Sequence, residues 1–285
     1  MNSRVLIVGA TGMLGAPVAR RMAADGWTVR CLVRDESRAR QLLGPGFEYV
    51  VGDVTQPATL DAAFDGCAAM HLNLRGGATL ASYQQQEVQG SANCLAAARR
   101  QGVRRVSYLS GSGRYDDTLS HHFPVQVKQA VERSLVESGI PWTSFRATHF
   151  MESLASFVRD GRATILGRQP HPLHYLAAED YARMVSRAFD SAAAANRRLY
   201  MWGPQAFTMR AALERYVAVR HPALRVSMLP LPVARLIARV TRNTELATVC
   251  KLFTAFAAIG EDGDPREAND LLGAPSTTLA EWLQR

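Results

Sequence analysis

Along the first half of the chain, short runs of β-branched and apolar residues alternate with longer stretches whose apolar positions recur at helical spacing. The short runs are Arg4 to Val8, Val29 to Val33, Phe47 to Val51, Ala69 to Asn73, Arg105 to Ser110 and Trp142 to Arg146, and their length and composition predict strands. Helical periodicity predicts helices near Pro17 to Asp25, Ser37 to Leu43, Thr59 to Phe64, Tyr83 to Gln101 and Val125 to Ser138. Strands alternating with helices in this way form β-α-β units around a parallel sheet, and right-handed crossovers make that sheet doubly wound. The expected fold is α/β: a Rossmann-type doubly wound parallel sheet with a smaller, mainly helical C-terminal substrate region.

After Phe150 the rhythm changes. Gly161 to His174 is rich in Gly, Pro and His and reads as a loop. Asp180 predicts an N-cap for a helix from Tyr181 to Phe189, and Leu199 to Trp202 before Gly203-Pro204 predicts a late strand. Residues 1–150, with a returning element near 175–202, are expected to form the dinucleotide-binding domain and residues 151–285 the substrate side. Pro232 to Arg242 sets Arg235, Arg239 and Arg242 opposite Val233, Leu236, Ile237 and Val240. An ordinary surface helix shows that pattern, and so does one that lies on a membrane or meets a partner.

The 285 residues are 47% hydrophobic and 20% charged, the balance of a soluble globular chain, which excludes disorder, collagen and coiled coil. Cys31, Cys67, Cys94 and Cys250 are widely scattered, as reduced cytoplasmic thiols are, with no spacing for a disulfide framework or metal clip. Met1 to Arg4 runs at once into Val5 to Val8, so no signal peptide is expected. Leu246 to Ile259 is too short to span a bilayer and contains Lys251. The net charge of +8 favours an anionic ligand such as a phosphorylated cofactor. Nucleic acid is not expected, because the cations are dispersed and no aromatics interleave with them.

Directly after the first strand, Gly9-Ala10-Thr11-Gly12-Met13-Leu14-Gly15 spaces its glycines G-x-x-G-x-x-G. Gly9 permits a tight turn, Gly12 lets the backbone approach a pyrophosphate, and Gly15 lets the following helix pack closely on the strand. The helix N-terminus then offers N–H groups and dipole to the anion. Dinucleotide binding follows from this context of strand, turn and helix. The second strand ends Val33-Arg34-Asp35, with Arg38 one turn later. Arg34 and Arg38 suit the 2′-phosphate of NADP, whereas Asp35 keeps NAD possible.

These residues, with Gly52-Asp53-Val54, Lys128, Thr143 to Arg146 and Phe150-Met151-Glu152, resemble the NmrA-like, NAD(P)H-binding branch of the atypical short-chain dehydrogenase/reductases. Gly203-Pro204 to Thr208, Leu272-Gly273 and Thr278-Leu279 extend the likeness towards the end of the chain. The resemblance implies that Thr11, Gly12, Met13 and Leu14 line the pyrophosphate and that Arg34 meets the 2′-phosphate. It also implies that Asp53 and Val54 border the adenine and that Leu72 and Asn73 flank a cofactor ribose. Members of the branch include quinone reductases and dinucleotide sensors without turnover.

The superfamily's usual acid pair is a tyrosine and a lysine at Y-x-x-x-K, and here the segment is Pro124-Val125-Gln126-Val127-Lys128. Proline stands in the tyrosine position, which disfavours an epimerase or dehydratase acting on a nucleotide sugar. Lys128 remains to hold the nicotinamide ribose or an acceptor carbonyl. His149 is a candidate proton donor because a histidine near its ordinary pKa donates at neutral pH. Ser110 and Ser112 lie where the superfamily's serine polarises a carbonyl, and turn chemistry explains them equally well. His121-His122 suits a lid or a solvated loop, and His171-x-x-His174 lacks a third ligand for zinc. The expected activity is hydride transfer from NADP(H) to a small quinone-like or conjugated carbonyl acceptor. A non-catalytic NAD(P)H-sensing protein, a homo-oligomer and a regulatory partner remain open.

Overall fold

A computed structural model describes residues 3–111 and 121–285. Its strands are β1 (Arg4–Val8), β2 (Thr28–Val33), β3 (Glu48–Val51), β4 (Ala69–Leu72), β5 (Arg105–Gly111), β6 (Trp142–Ala147), β7 (Val158–Arg159), β8 (Arg162–Leu166), β9 (Pro172–His174), β10 (Arg197–Met201), β11 (Ala206–Thr208) and β12 (Val226–Leu229). Its α-helices are α1 (Gly15–Ala24), α2 (Glu36–Leu43), α3 (Asp61–Phe64), α4 (Leu80–Ser82), α5 (Gly90–Arg100), α6 (Phe123–Glu137), α7 (Ala178–Asp190), α8 (Met209–Arg220), α9 (Leu231–Val240), α10 (Thr244–Ala258), α11 (Arg266–Leu272) and α12 (Leu279–Leu283). A π-helical stretch, Tyr83–Gln89, leads into α5.

Seven strands form one parallel sheet in the order β3-β2-β1-β4-β5-β6-β10. This is the Rossmann-like doubly wound arrangement. Alternation along each strand divides the core between the two faces. Val5 and Ile7 of β1 pack with Val18 and Met22 of α1 and Tyr181 and Val185 of α7. Leu6 and Val8 pack with Phe64 of α3, Leu95 of α5 and Leu135 of α6. Strand order reverses between β1 and β4, so their carboxyl ends open the crevice where such sheets take ligands. Asn73 N–H donates to the Val8 carbonyl at 3.0 Å across that crevice.

The second half returns α7 and β10 to the sheet and builds a third core from β8, β9, α8, α10 and α12. Its helix near residue 180 starts earlier than Asp180, with Ala177 at the N-cap. Asp180 lies in the first turn, and its Oδ2 accepts from the Ser276 and Thr277 N–H groups at 3.1 and 2.8 Å. The C-terminal segment has taken the acceptor that a cap would use. Thr208 and Thr278 do cap helices, each accepting at 3.2 Å from the N–H three residues on. The Gly161 to His174 stretch holds two short strands, β8 and β9, rather than only loop. Among the described residues no helix is long and apolar enough to cross a membrane, and no cluster of His, Cys, Asp and Glu suits a metal ion.

Candidate functional site

At the end of β1, Gly9 turns the chain with φ +85°, a conformation open chiefly to glycine. A Cβ on Gly9 would overlap the Asn73 carbonyl oxygen, and one on Gly15 would overlap the Gly9 carbonyl. Packing therefore demands both glycines. Gly12 is different, because its Cβ would meet only the Gly9 oxygen, at 3.2 Å. Thr11, Gly12 and Met13 are exposed at the crevice. Helix α1 begins with no side-chain cap and no acid in its first turn; Ala16 N–H donates to the Gly12 carbonyl at 3.0 Å and Pro17 has no N–H, so the Gly15 N–H and the positive dipole end are what the turn leaves for an anion. Leu14 is buried in the core, so only its backbone is available to a ligand.

Asp35 caps α2, accepting from Arg38 N–H at 2.9 Å. Its carboxylate is thereby turned towards the helix. Arg34 and Arg38 are exposed, and neither guanidinium has an ion-pair partner among the described residues. Asp53 Oδ1 accepts from the Thr55 N–H and hydroxyl, both at 2.8 Å, which organises its own turn. Val54 packs against Gly90, where a Cβ would crowd it. Leu72, like Leu14, has its side chain in the core, so a ribose at this point would meet its backbone and the half-buried Asn73.

Beyond β4 and β5 lies a cluster that sequence reading missed. Glu87, only 2% exposed, receives Lys128 Nζ at 2.6 Å and the Tyr108 hydroxyl at 2.9 Å on Oε1, and Gly76 N–H at 3.1 Å on Oε2. Lys128 also donates to the Leu109 carbonyl at 3.1 Å. Two of its three donors are thus engaged, and the third is open among the described residues. Glu87 comes from the π-helical stretch, whose extra residue per turn alters how its side chains are directed. A signal was present: Glu87 shares a helical face with buried Ser91, Cys94 and Ala98, and a charge on an apolar face demands a partner.

His149 does not behave as a donor near its ordinary pKa. Its ring is packed against Phe256 and Tyr175, with centroids 5.0 and 6.2 Å away. Burial pushes the imidazole down to about 4, against the pull of Glu261, so it is neutral at pH 7. Nearby, Glu261 accepts from the Thr148 hydroxyl and from His174, whose Nδ1 is 2.6 Å away and whose ring stacks on Trp202. His171 instead contacts the Ala257 carbonyl at 3.1 Å. Ser110 is buried at the end of β5, while Ser112 lies outside the described residues. His121 and His122 stand just before α6 with ring centroids 4.1 Å apart, and residues 112–120 are likewise outside the described residues.

The NmrA-like family matches residues 1–283. The chain belongs to that family. The NAD(P)H azoreductase of Xenophilus azovorans is 27% identical over 231 residues, covering 75% of this chain and 77% of that protein. The photosystem II assembly factor Ycf39 of Synechocystis is 24% identical over 246 residues, covering 84% and 74%. Triphenylmethane reductase of Citrobacter, whose crystal structure is complexed with NADP(H), superposes at a TM-score of 0.73 over 99% of both chains with 19% identity. That similarity shows this NmrA-like chain to share the reductase's fold.

Proposed function

We propose that the protein is an NADP(H)-dependent atypical short-chain reductase that passes hydride to a small quinone-like or conjugated carbonyl acceptor. The observation that carries this reading is the Gly9 to Gly15 cradle: an uncapped helix N-terminus beside a glycine whose face is clear of all but one backbone oxygen. A dinucleotide fits these residues. Backbone N–H groups around Thr11 to Leu14 hold the pyrophosphate, Arg34 and Arg38 pair with a 2′-phosphate, and Asp53 and Val54 border the adenine. Leu72 and Asn73 lie along a ribose, and the engaged carboxylate of Asp35 favours NADP over NAD. A bound nicotinamide supplies the hydride. Lys128 directs its open donor to the nicotinamide ribose or to the acceptor oxygen on which negative charge develops.

With Pro124 in the tyrosine position and His149 neutral, the chain has a poor set of acids for reducing a simple ketone. A quinone-like acceptor asks less, because its reduced oxygens take protons readily from water. The azoreductase and triphenylmethane reductase relatives support reduction of a conjugated acceptor. A second reading, dinucleotide binding without turnover, is favoured by Pro124 and by the relatives that are assembly factors. Calorimetry with NADPH and NADH, followed by NADPH oxidation against a panel of quinones and enones, separates the two. Tighter NADPH binding with turnover is expected. Binding without turnover across the panel selects the second reading, and absence of dinucleotide binding overturns both.

A further inference from the structure

Large apolar side chains that face solvent are unevenly spread over the molecule. Val233, Leu236, Ile237 and Val240 all lie on α9 and are 45, 62, 41 and 74% exposed. Met228 on β12 and Val219 on α8 are also exposed. The spacing of the four aligns them in one stripe along the helix, while the buried positions of α9 are the small residues Ala234 and Ala238. An ordinary surface helix turns its large apolar residues inward. Here the arrangement is inverted, which marks the stripe as an interaction surface.

Charge gives the surface a sign. From residue 215 to 260 the chain has seven cationic residues and one acidic residue, Glu245. Arg235, Arg239 and Arg242 of the α9 region and Lys251 of α10 line a shallow cleft of about 380 Å³ beside the stripe, floored by Ala238, Ala247 and Cys250. Arg235 is held by Thr254, donating to its hydroxyl at 2.7 Å. Arg239, Arg242 and Lys251 have no ion-pair partner among the described residues.

We propose that α9 docks on an anionic lipid bilayer, its aliphatic stripe entering the boundary between headgroups and acyl chains while the cationic cleft takes lipid phosphates. One occupant satisfies both features at once. A stripe on the outside of a single helix inserts into lipid without needing a shaped partner, and apolar area and cations then add. Nucleic acid would use the cations and leave the stripe in water. A second copy meeting across a two-fold axis would bring Arg239 and Arg242 towards their own counterparts, a like-charge contact. The inference is independent of the reductase reading.

Sedimentation of the full chain with vesicles tests it. Binding is expected to mixed phosphatidylcholine and phosphatidylglycerol vesicles, little to pure phosphatidylcholine, and less as salt rises. Leu236→Ser with Ile237→Ser is expected to weaken binding about tenfold or more at unchanged charge. Arg239→Glu with Arg242→Glu is expected to do the same while the stripe is intact. All four positions are exposed, and thermal unfolding followed by circular dichroism checks that each variant is folded. Failure of the wild-type chain to bind the anionic vesicles overturns the proposal, as does undiminished binding by the Leu236/Ile237 variant. So does light scattering that shows a wild-type dimer which that variant dissolves, since a second copy would then cover the stripe.

Discussion

The two ends of the candidate cleft are made in different ways. At the end proposed to take the phosphates, seven consecutive residues, Gly9 to Gly15, form the site with backbone. At the other end, Glu87 meets Tyr108 and Lys128, which stand 21 and 41 residues away in sequence, and it does so with side chains. A backbone device is local, so its motif is visible in one dimension and its tolerance to change is set by sterics. A side-chain constellation exists only once the sheet has formed, and its tolerance is set by charge.

The sharpest way to break that comparison is at the glycines. Gly9→Val forces a β-branched residue to positive φ and drives its Cβ into the Asn73 carbonyl, so it should destabilise the fold by more than about 3 kcal/mol. Gly12→Val sets a Cβ against only the Gly9 carbonyl oxygen, at 3.2 Å, so it should cost much less stability than Gly9→Val, and it should abolish dinucleotide binding if the loop's backbone meets the pyrophosphate. Midpoints measured for both variants decide it. Similar losses of stability would mean that Gly12, like Gly9, serves packing.

Next in size is a pH effect set by buried side chains rather than by backbone. His71 on β4 is wholly buried, shared between the Ser107 hydroxyl at 2.8 Å and the Tyr181 hydroxyl at 3.2 Å, and burial pushes it down to about 3. Its folded pKa lies below the ordinary 6.5, so the unfolded chain binds the extra proton. The stability it contributes is complete above about 6.5 and is lost as pH falls towards 3, at up to about 1.4 kcal/mol per pH unit. His149 adds a similar slope down to about 4. Urea unfolding at pH 7 and pH 5 should therefore show a smaller loss in His71→Asn than in the wild-type chain. An equal loss would place the proton uptake elsewhere.

Sequence patterning located the sheet well because its inner strands, such as β1, β4 and β6, are short, largely apolar runs buried on both faces, and β1 begins and ends where the periodicity says. It located the second half less well for reasons visible in particular residues. In Gly161 to His174, the glycines at both ends of β8, Gly161 and Gly167, obscured the alternation of buried Ala163 and Ile165. Asp180 looked like a cap because nothing local announces that residues 276 and 277 reach back to it. On α9 the amphipathic pattern was legible, but which face meets the protein was not, since periodicity carries no direction. Glu87 was hidden inside a correctly read helix.

Cofactor preference is a smaller effect and joins the two modes, a side chain placed at the phosphate end. Arg34→Ala should erase most of an NADPH preference worth about 1–3 kcal/mol, with little change for NADH, because only the 2′-phosphate uses the guanidinium. Calorimetry with both dinucleotides measures this. Equal affinities in the wild-type chain would remove the NADP assignment, and a preference that survives Arg34→Ala would transfer it to Arg38.

The smallest expected effect falls on Lys128 and its anchor, where the comparison between local and assembled sites is most exposed. Lys128 gives one donor to Glu87 and one to Leu109, so its ammonium is aimed by a residue that never needs to touch a ligand. If the open donor stabilises charge on the acceptor, the interaction is stronger in the transition state than in the ground state. Lys128→Met, which keeps the apolar stem, should then lower kcat about tenfold, or ~1.4 kcal/mol, with a smaller change in cofactor Kd. Glu87→Gln keeps the size of the side chain but leaves one acceptor oxygen for donors that now use two, and it removes the charge that holds the ammonium, so it should lower kcat by less than Lys128→Met. The double variant should be no worse than Lys128→Met alone, because Glu87 acts through the lysine. Additive losses would show that Glu87 has a role of its own, and robust turnover indifferent to Lys128→Met would exclude Lys128 as the acceptor's partner.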